Sequence, residues 1–315
     1  MALDGSTENE VACSIGTPTT LLEPRDVPLG GPRAMSVRRT LPQRARSFIG
    51  AWCFCDHYGP DDVTVTGGMR VPPHPHTALQ TVSWLFSGEI EHRDSVGSHE
   101  LVRPGEVNLM TAGHGISHSE VSTPDTTVLH GIQLWTALPA AHADHAPFFE
   151  HHVPPVTDLP GARIQVFAGS LDNVASPVTV FSPLIGAEIV LDPGADITLD
   201  ADRSYEHGVL LDSGSVLVGG ADVPTGSLAY IPPGADTLRL TAGQGERTRV
   251  ILIGGAPLDE QIIMWWNFIG RSHDEIMTAR DEWQTGDARF GTVEGYIGDR
   301  LPAPTLPNVR LRPRE

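Results

Sequence analysis

Proline and glycine interrupt this chain so often that long helices are excluded from most of it. Its 315 residues include 33 Gly and 27 Pro. They recur as Pro104-Gly105, Pro193-Gly194 and Pro233-Gly234 between short apolar runs. Proline fixes its backbone and donates no hydrogen bond, while glycine adopts the left-handed conformations of tight turns, so such pairs punctuate turns. The runs between them include Thr81-Val82-Ser83-Trp84-Leu85-Phe86, Val209-Leu210-Leu211 and Val250-Ile251-Leu252-Ile253. These have the length and composition of strands. The pattern predicts an all-β protein, as sandwich or barrel. One short helix is predicted near the end, where Ser272-His273-Asp274-Glu275 has capping-box form and Ile276, Ala279 and Trp283 share a face.

The length allows one large domain or two ordinary ones, and a weak internal repeat favours two. Residues 85–107 and 210–230 both run from a strand through Gly88 or Gly214 to a later proline and glycine before the next strand. Residues 138–160, rich in Pro, Ala and His, suit a connection between them. Residues 1–20 and the Pro-rich 302–315 read as loosely held tails.

Charge and cysteine content narrow the function classes. The formal charge is −18, from 39 acidic and 21 basic residues, and every basic residue is Arg. Such a surface repels phosphate backbones, so direct nucleic-acid binding is disfavoured. No apolar run approaches the roughly 20 residues that span a bilayer. Asp4, Glu8, Glu10 and Glu23 mark a start unlike a signal peptide. A cytoplasmic protein with no membrane partner is expected. Cys13, Cys53 and Cys55 are too few for a disulfide framework. Cys53-Phe54-Cys55 follows an apolar run and has no second cysteine pair, so it reads as ordinary buried thiols.

Two short motifs carry the chemistry. His74-Pro75-His76 and His118-Ser119-Glu120 each place two metal-binding side chains two residues apart. In a strand that spacing puts both on one face. Pro75 confines the first pair to a strand start or an edge. Three imidazoles and a carboxylate suit a divalent first-row metal and leave two positions of an octahedron open. Gly113 and Gly115 permit close backbone approach beside the second pair.

The sequence here resembles the pirins, a branch of the cupin superfamily. The resemblance rests on His74-Pro75-His76 with Gln80-Thr81-Val82-Ser83, His92-Arg93-Asp94-Ser95, and Pro104-Gly105 leading into Met110–Glu120. Gly131-Ile132-Gln133-Leu134-Trp135 extends it and Met264-Trp265-Trp266-Asn267-Phe268 does so more loosely, giving a coverage of residues 25–285. It implies metal ligands at His74, His76, His118 and Glu120. It also implies iron as the usual metal and, in several members, quercetin 2,3-dioxygenase-like activity; other members are redox-sensitive partners of transcription machinery. Many members carry a glycine and a bulky aromatic where this chain has Ala78-Leu79, and an acidic residue where it has Gln80. Both departures bear on the pocket mouth and on substrate identity.

Other candidates carry less. His114 could hydrogen-bond behind a ligand or face solvent. His92 and Asp94 read as a local polar pair. His142, His145, His151 and His152 read as a solvated connection. Trp265-Trp266 reads as core or domain interface, with a ligand wall as the alternative. The second repeat has only His207 and no H-x-H, so it can hardly build the same site.

The expectation is therefore a bicupin, two jelly-roll-like β-barrel domains with a short C-terminal helix. Residues 1–20 would be a tail and 21–137 the N-terminal metal-binding cupin. Residues 138–160 would connect it to a metal-free cupin-like domain at 161–290, followed by a tail at 291–315. One divalent metal is expected, iron first, with Ni, Mn, Co, Cu or Zn as alternatives. The leading function is a dioxygenase taking a small aromatic substrate and O₂, with Glu120 as the base. The alternative is an iron-binding redox sensor or regulator with a protein partner.

Overall fold

The computed structural model describes residues 19–29 and 35–313. The expected tail at 1–20 lies almost wholly outside the described residues, as does Cys13. The described chain is all-β, with limited helix content. Each half folds as two facing antiparallel sheets.

In the first half a seven-stranded sheet runs, edge to edge, through Phe148–His152, Val107–Thr111, Leu79–Ser87, Val128–Ala137, Trp52–Asp62, Ser36–Leu41 and Arg25–Pro28. It faces a four-stranded sheet of Arg70–His76, Ile116–Ser122, Ile90–Asp94 and His99–Val102. Val37, Tyr58, Leu85 and Leu129 from the large sheet meet Val71, Ile90 and Val102 from the small one. In the second half an eight-stranded sheet faces the four strands Asp196–Asp200, Thr237–Ala242, Val216–Val218 and Ala221–Val223. Their shared core is Val, Leu, Ile and Ala throughout.

Neither unit is the barrel expected. Among the described residues the large and small sheets of each half are separate, each with its own edge strands, and no ladder joins them. Alternating burial predicts that one strand face is inside, and that holds equally for a closed barrel and for two stacked sheets. Closure depends on whether edge strands reach one another, which the loops decide.

The two large sheets also pack against each other. Leu41, Trp52, Val82, Trp84, Leu109 and Leu134 of the first meet Phe167, Leu184, Leu210, Leu228 and Ile251 of the second. Each such side chain contributes about 1.5–3 kcal/mol on burial, so the seam holds the halves as one body. The chain ends tighten it. Thr20–Leu22 pairs with Leu228–Ile231 in the second half's sheet. In return the hairpin Ile263–Trp265/Phe268–Gly270 reaches back to the first, where Ile269 N donates to Thr77 O at 3.2 Å. The helix His273–Thr285 follows, with Ser272 accepting from Glu275 N and Ile276, Ala279 and Trp283 buried, the face expected of it. Beyond it Ala303 is buried, and Leu301 N donates to Pro73 O at 2.8 Å.

Candidate metal centre and pocket

His74 and His76 end the strand Arg70–His76, an edge strand of the small sheet, which is where Pro75 requires them to be. Its neighbour Ile116–Ser122 places His118 directly opposite His74. The three rings converge, with centroids 4.9 Å apart for His74 and His76, 4.4 Å for His74 and His118, and 5.0 Å for His76 and His118. Their ligand atoms lie within 4.8 Å of one another. Beside them the strand bulges between His118 and Glu120. Gly113 (φ +50°) lies against the neighbouring connection, where a Cβ would overlap the carbonyl of His145.

The electrostatics suit cation ligands. Burial lowers His74 to about 4, against the pull of its hydrogen bond to the Pro72 carbonyl. Burial, then the neighbouring imidazoles, hold His76 and His118 well below the usual histidine range. At neutral pH all three are uncharged and keep a lone pair to donate. His74 Nδ1 lies 2.9 Å from Pro72 O and must be its N–H side, leaving Nε2 as the lone pair. His76 Nε2 and His118 Nε2 face each other at 3.1 Å, an arrangement that a shared cation satisfies. The donor set fits a divalent metal. Glu120 falls into a second, overlapping group with His92 and His118. Its carboxyl is raised by burial, against the pull of His92 and of the Ser83 hydroxyl, which donates to Oε1 at 3.2 Å.

The rings end a pocket of about 530 Å³. Phe54 and Trp135 stack 4.0 Å apart at 10°, and Trp135 meets His76 edge-on at 5.1 Å. Arg39 lies 4.3 Å above Phe54 and forms a two-pronged ion pair with buried Asp56 at 2.6 and 2.7 Å. Met264, Trp266, Asn267 and Leu301 complete the wall from far along the chain. Trp266 begins the two-residue turn of its hairpin at φ +53°, a position that favours glycine and strains an aromatic residue.

Several sequence candidates lie elsewhere. His114 is exposed. His142 and His145 pack on Phe181, and His151 pairs with Asn108 from an edge strand, so these histidines form no ligand group among the described residues. Cys53 and Cys55 are buried thiols, the latter pushed up to about 12 by burial. Trp266 lines the pocket, whereas its neighbour Trp265 packs with Ile263, Phe268 and the C-terminal helix. Among the described residues no helix is long and apolar enough to cross a membrane.

One cluster escaped the sequence reading. His57 and His130 of the first half converge on Oδ1 of Asp212 of the second, at 2.7 and 2.6 Å. Arg38 reaches His57 Nδ1 at 3.1 Å, so that nitrogen accepts and Nε2–H donates to the carboxylate. Arg249 then links Asp212 to Glu188, and Trp84 donates to Glu188 at 2.6 Å. Burial opposes it, yet His130 and His57 hold Asp212 far below the usual carboxylate range. Seventy-three residues separate His57 from His130 and 82 separate His130 from Asp212, so no local spacing could reveal it.

Known proteins match most of the chain in sequence and in fold. Residues 34–136 match the family described as Pirin, and residues 186–291 the Pirin C-terminal cupin domain. A Pseudomonas aeruginosa protein, whose name carries a provisional quercetin 2,3-dioxygenase assignment, is 44% identical over 288 residues, 90% of this chain and 89% of that one. A pirin-like protein of Caulobacter vibrioides is 36% identical over 85% of this chain and 94% of its own. The crystal structure of quercetin 2,3-dioxygenase from Acinetobacter baumannii superposes with TM-score 0.88 at 37% identity, covering 93% of this chain and 97% of that one. Two cupin-like units that match the family's two domains, and likeness along nearly the full length, place this chain in the pirin family.

Proposed function

We propose that this pirin is a metal-dependent dioxygenase. It would hold one divalent metal on His74, His76, His118 and Glu120 and cleave a flavonol-like or other enolisable aromatic with O₂. The observation that carries this reading is the set of three buried, uncharged imidazoles closing an aromatic-walled pocket. Imidazole and carboxylate donors with open positions favour iron, with Ni, Mn, Co, Cu or Zn as alternatives. When bound, the metal supplies Lewis acidity and a binding position for O₂.

The protein's own groups do the rest. The stacked Phe54–Trp135 pair offers a flat face to a planar substrate, and Trp266 adds a further aromatic wall. The pocket volume is that of a small-molecule site, which spans roughly 300–1,000 Å³. Ser83 holds Glu120 Oε1, and the carboxyl's raised basicity suits it to take the proton of a substrate hydroxyl.

The test is Glu120→Gln, with metal content and oxygen uptake on quercetin measured on the same preparation. We expect a substantial share of the metal to remain and turnover per bound metal to fall about 10²–10⁴-fold, the usual contribution of a general base. Equal turnover per metal would show Glu120 to be at most a ligand. No turnover by metal-loaded wild type on any flavonol would replace the enzyme with a metal-dependent binding protein.

A further inference from the structure

The face that carries the imidazoles holds two more ionisable side chains in strict register. Across the ladder between Ile90–Asp94 and Ile116–Ser122, His92 stands opposite Glu120 and Asp94 opposite His118. Both are buried, at 2% exposure. His118 Nδ1 lies 3.4 Å from His92 Nδ1, and His92 Nε2 lies 3.2 Å from Asp94 Oδ2. Phe149 stacks on the His92 ring, centroids 4.6 Å apart at 25°. The other Asp94 oxygen accepts from the backbone N–H of Val96 and of Ser98, at 3.0 and 2.9 Å.

One assignment of protons satisfies this line and leaves His118 a lone pair for a metal. An ionised carboxylate accepts and cannot donate, so His92 Nε2 carries the hydrogen that points at Asp94. In that assignment the His92 lone pair lies on Nδ1, facing His118. That lone pair accepts from His118 Nδ1–H, which leaves the His118 lone pair on Nε2, beside His76. His92 belongs to a potential ligand group with His118 and Glu120, but its Nδ1 is already committed to the ring next to it.

We propose that His92 and Asp94 are positioning residues. Asp94 orients His92, and His92 holds His118 in its metal-binding tautomer and raises its donor strength. The inference rests on His118 being a ligand. A stronger donor stabilises the higher charge on a bound metal, so the pair would also lower the Fe(III)/Fe(II) potential. Partners of this kind typically carry a factor of about 10–100 in metal affinity.

The experiment titrates Co(II) into metal-free full-length protein, following the visible bands, and measures the iron midpoint potential by spectroelectrochemistry. Asp94→Asn keeps the oxygen that serves Val96 and Ser98 but presents an N–H₂ to His92, turning the line of donors against itself. It should bind Co(II) about 10–100-fold more weakly, with altered bands and a raised iron potential. His92→Phe keeps the stack on Phe149 and removes the acceptor, so it should behave alike. His92→Asn returns an acceptor near the Nδ1 position and should recover most of the affinity. If His92→Phe fails to fold, Asp94→Asn decides alone. Wild-type affinity and potential in folded Asp94→Asn would overturn the proposal, as would His92→Asn binding no better than His92→Phe. Wild-type protein that binds no Co(II) would overturn the metal site itself, and this inference with it.

Discussion

The two halves share a plan and differ in what they put inside it. Both are a large sheet facing a small one, but among the described residues only the first gathers three inward histidines into one potential ligand group. Among the described residues, every potential ligand group lies wholly in the first half or spans the seam. In the second half, His207 shares a strand face with Val209 and Leu211, which sit in an apolar core. The lesson is that a sandwich of this kind needs no polar interior to fold. Its polar interior in the first half is an addition, and the apolar half supplies the rigid backing. Phe167, Leu184 and Leu210 press on the sheet that carries Trp84 and Leu134.

That contrast can be broken most directly by removing ligands. His74→Ala or His118→Ala should bring bound metal and turnover to baseline by elemental analysis and oxygen uptake, while His207→Ala keeps its metal. Unchanged metal in both first-half variants would end the assignment.

The seam comes next in size. Asp212→Asn removes the charge that meets His57, His130 and Arg249. It should cost about 3 kcal/mol, at the lower end for a broken buried pair because Arg249 is partly exposed. Denaturant melts would show the loss, and metal content at neutral pH should stay at the wild-type level. A parallel loss of metal would mean that the seam and the site are one unit.

Acid sensitivity should not be confined to the first half, because His207 gives the second half its own share. Burial lowers this histidine to about 4, with Asp202 pulling weakly the other way. A folded pKa below the unfolded value of about 6.5 means that the unfolded chain binds the proton first. The neutral side chain therefore contributes fully above pH 6.5, and stability falls as pH drops from there toward 4. The loss is about 1–3 kcal/mol, from 1.36 kcal/mol per unit discounted for partial screening. His207→Leu should flatten that part of the pH dependence of thermal unfolding; an unchanged slope would assign the acid sensitivity elsewhere.

The smallest stability effect is expected at the pocket wall. Trp266→Gly relieves a positive φ but gives up the ring contact with Phe268, 5.4 Å between centroids. The opposing terms should leave stability within about 1 kcal/mol of wild type, while KM for an aromatic substrate rises. A large loss of stability with unchanged KM would make Trp266 a structural residue.

Local spacing made the heart of the site legible. His74-Pro75-His76 and His118-Ser119-Glu120 obey the two-residue period of a strand, so the sequence already implied that each pair shares a face. The short-strand pattern likewise announced an all-β chain, and Ser272 with Glu275 announced the helix. Barrel closure was misread because alternation reports an inside and an outside, not whether edges meet. The seam cluster was invisible, and the pocket wall was only the alternative reading of Trp265-Trp266, for a different reason. Asp212 finds His57, and Trp266 reaches the pocket that His76 lines, only after the halves have docked, and nothing near any of these residues in the chain records it. His92 lay between the two cases: its motif was plain, but its partner Nδ1 belongs to a neighbouring strand.

The wall that Met264, Trp266, Asn267 and Leu301 build has a consequence in time. The strands bearing the histidines are complete by Ala137, yet the chain must grow another 164 residues to reach Leu301. At 5–20 residues per second, that is roughly ten to thirty seconds of synthesis. Through that interval any cleft that the nascent first half forms lacks its far wall and lies open to whichever cation arrives. The pocket wall is finished only after the histidines of the candidate metal site have left the ribosome.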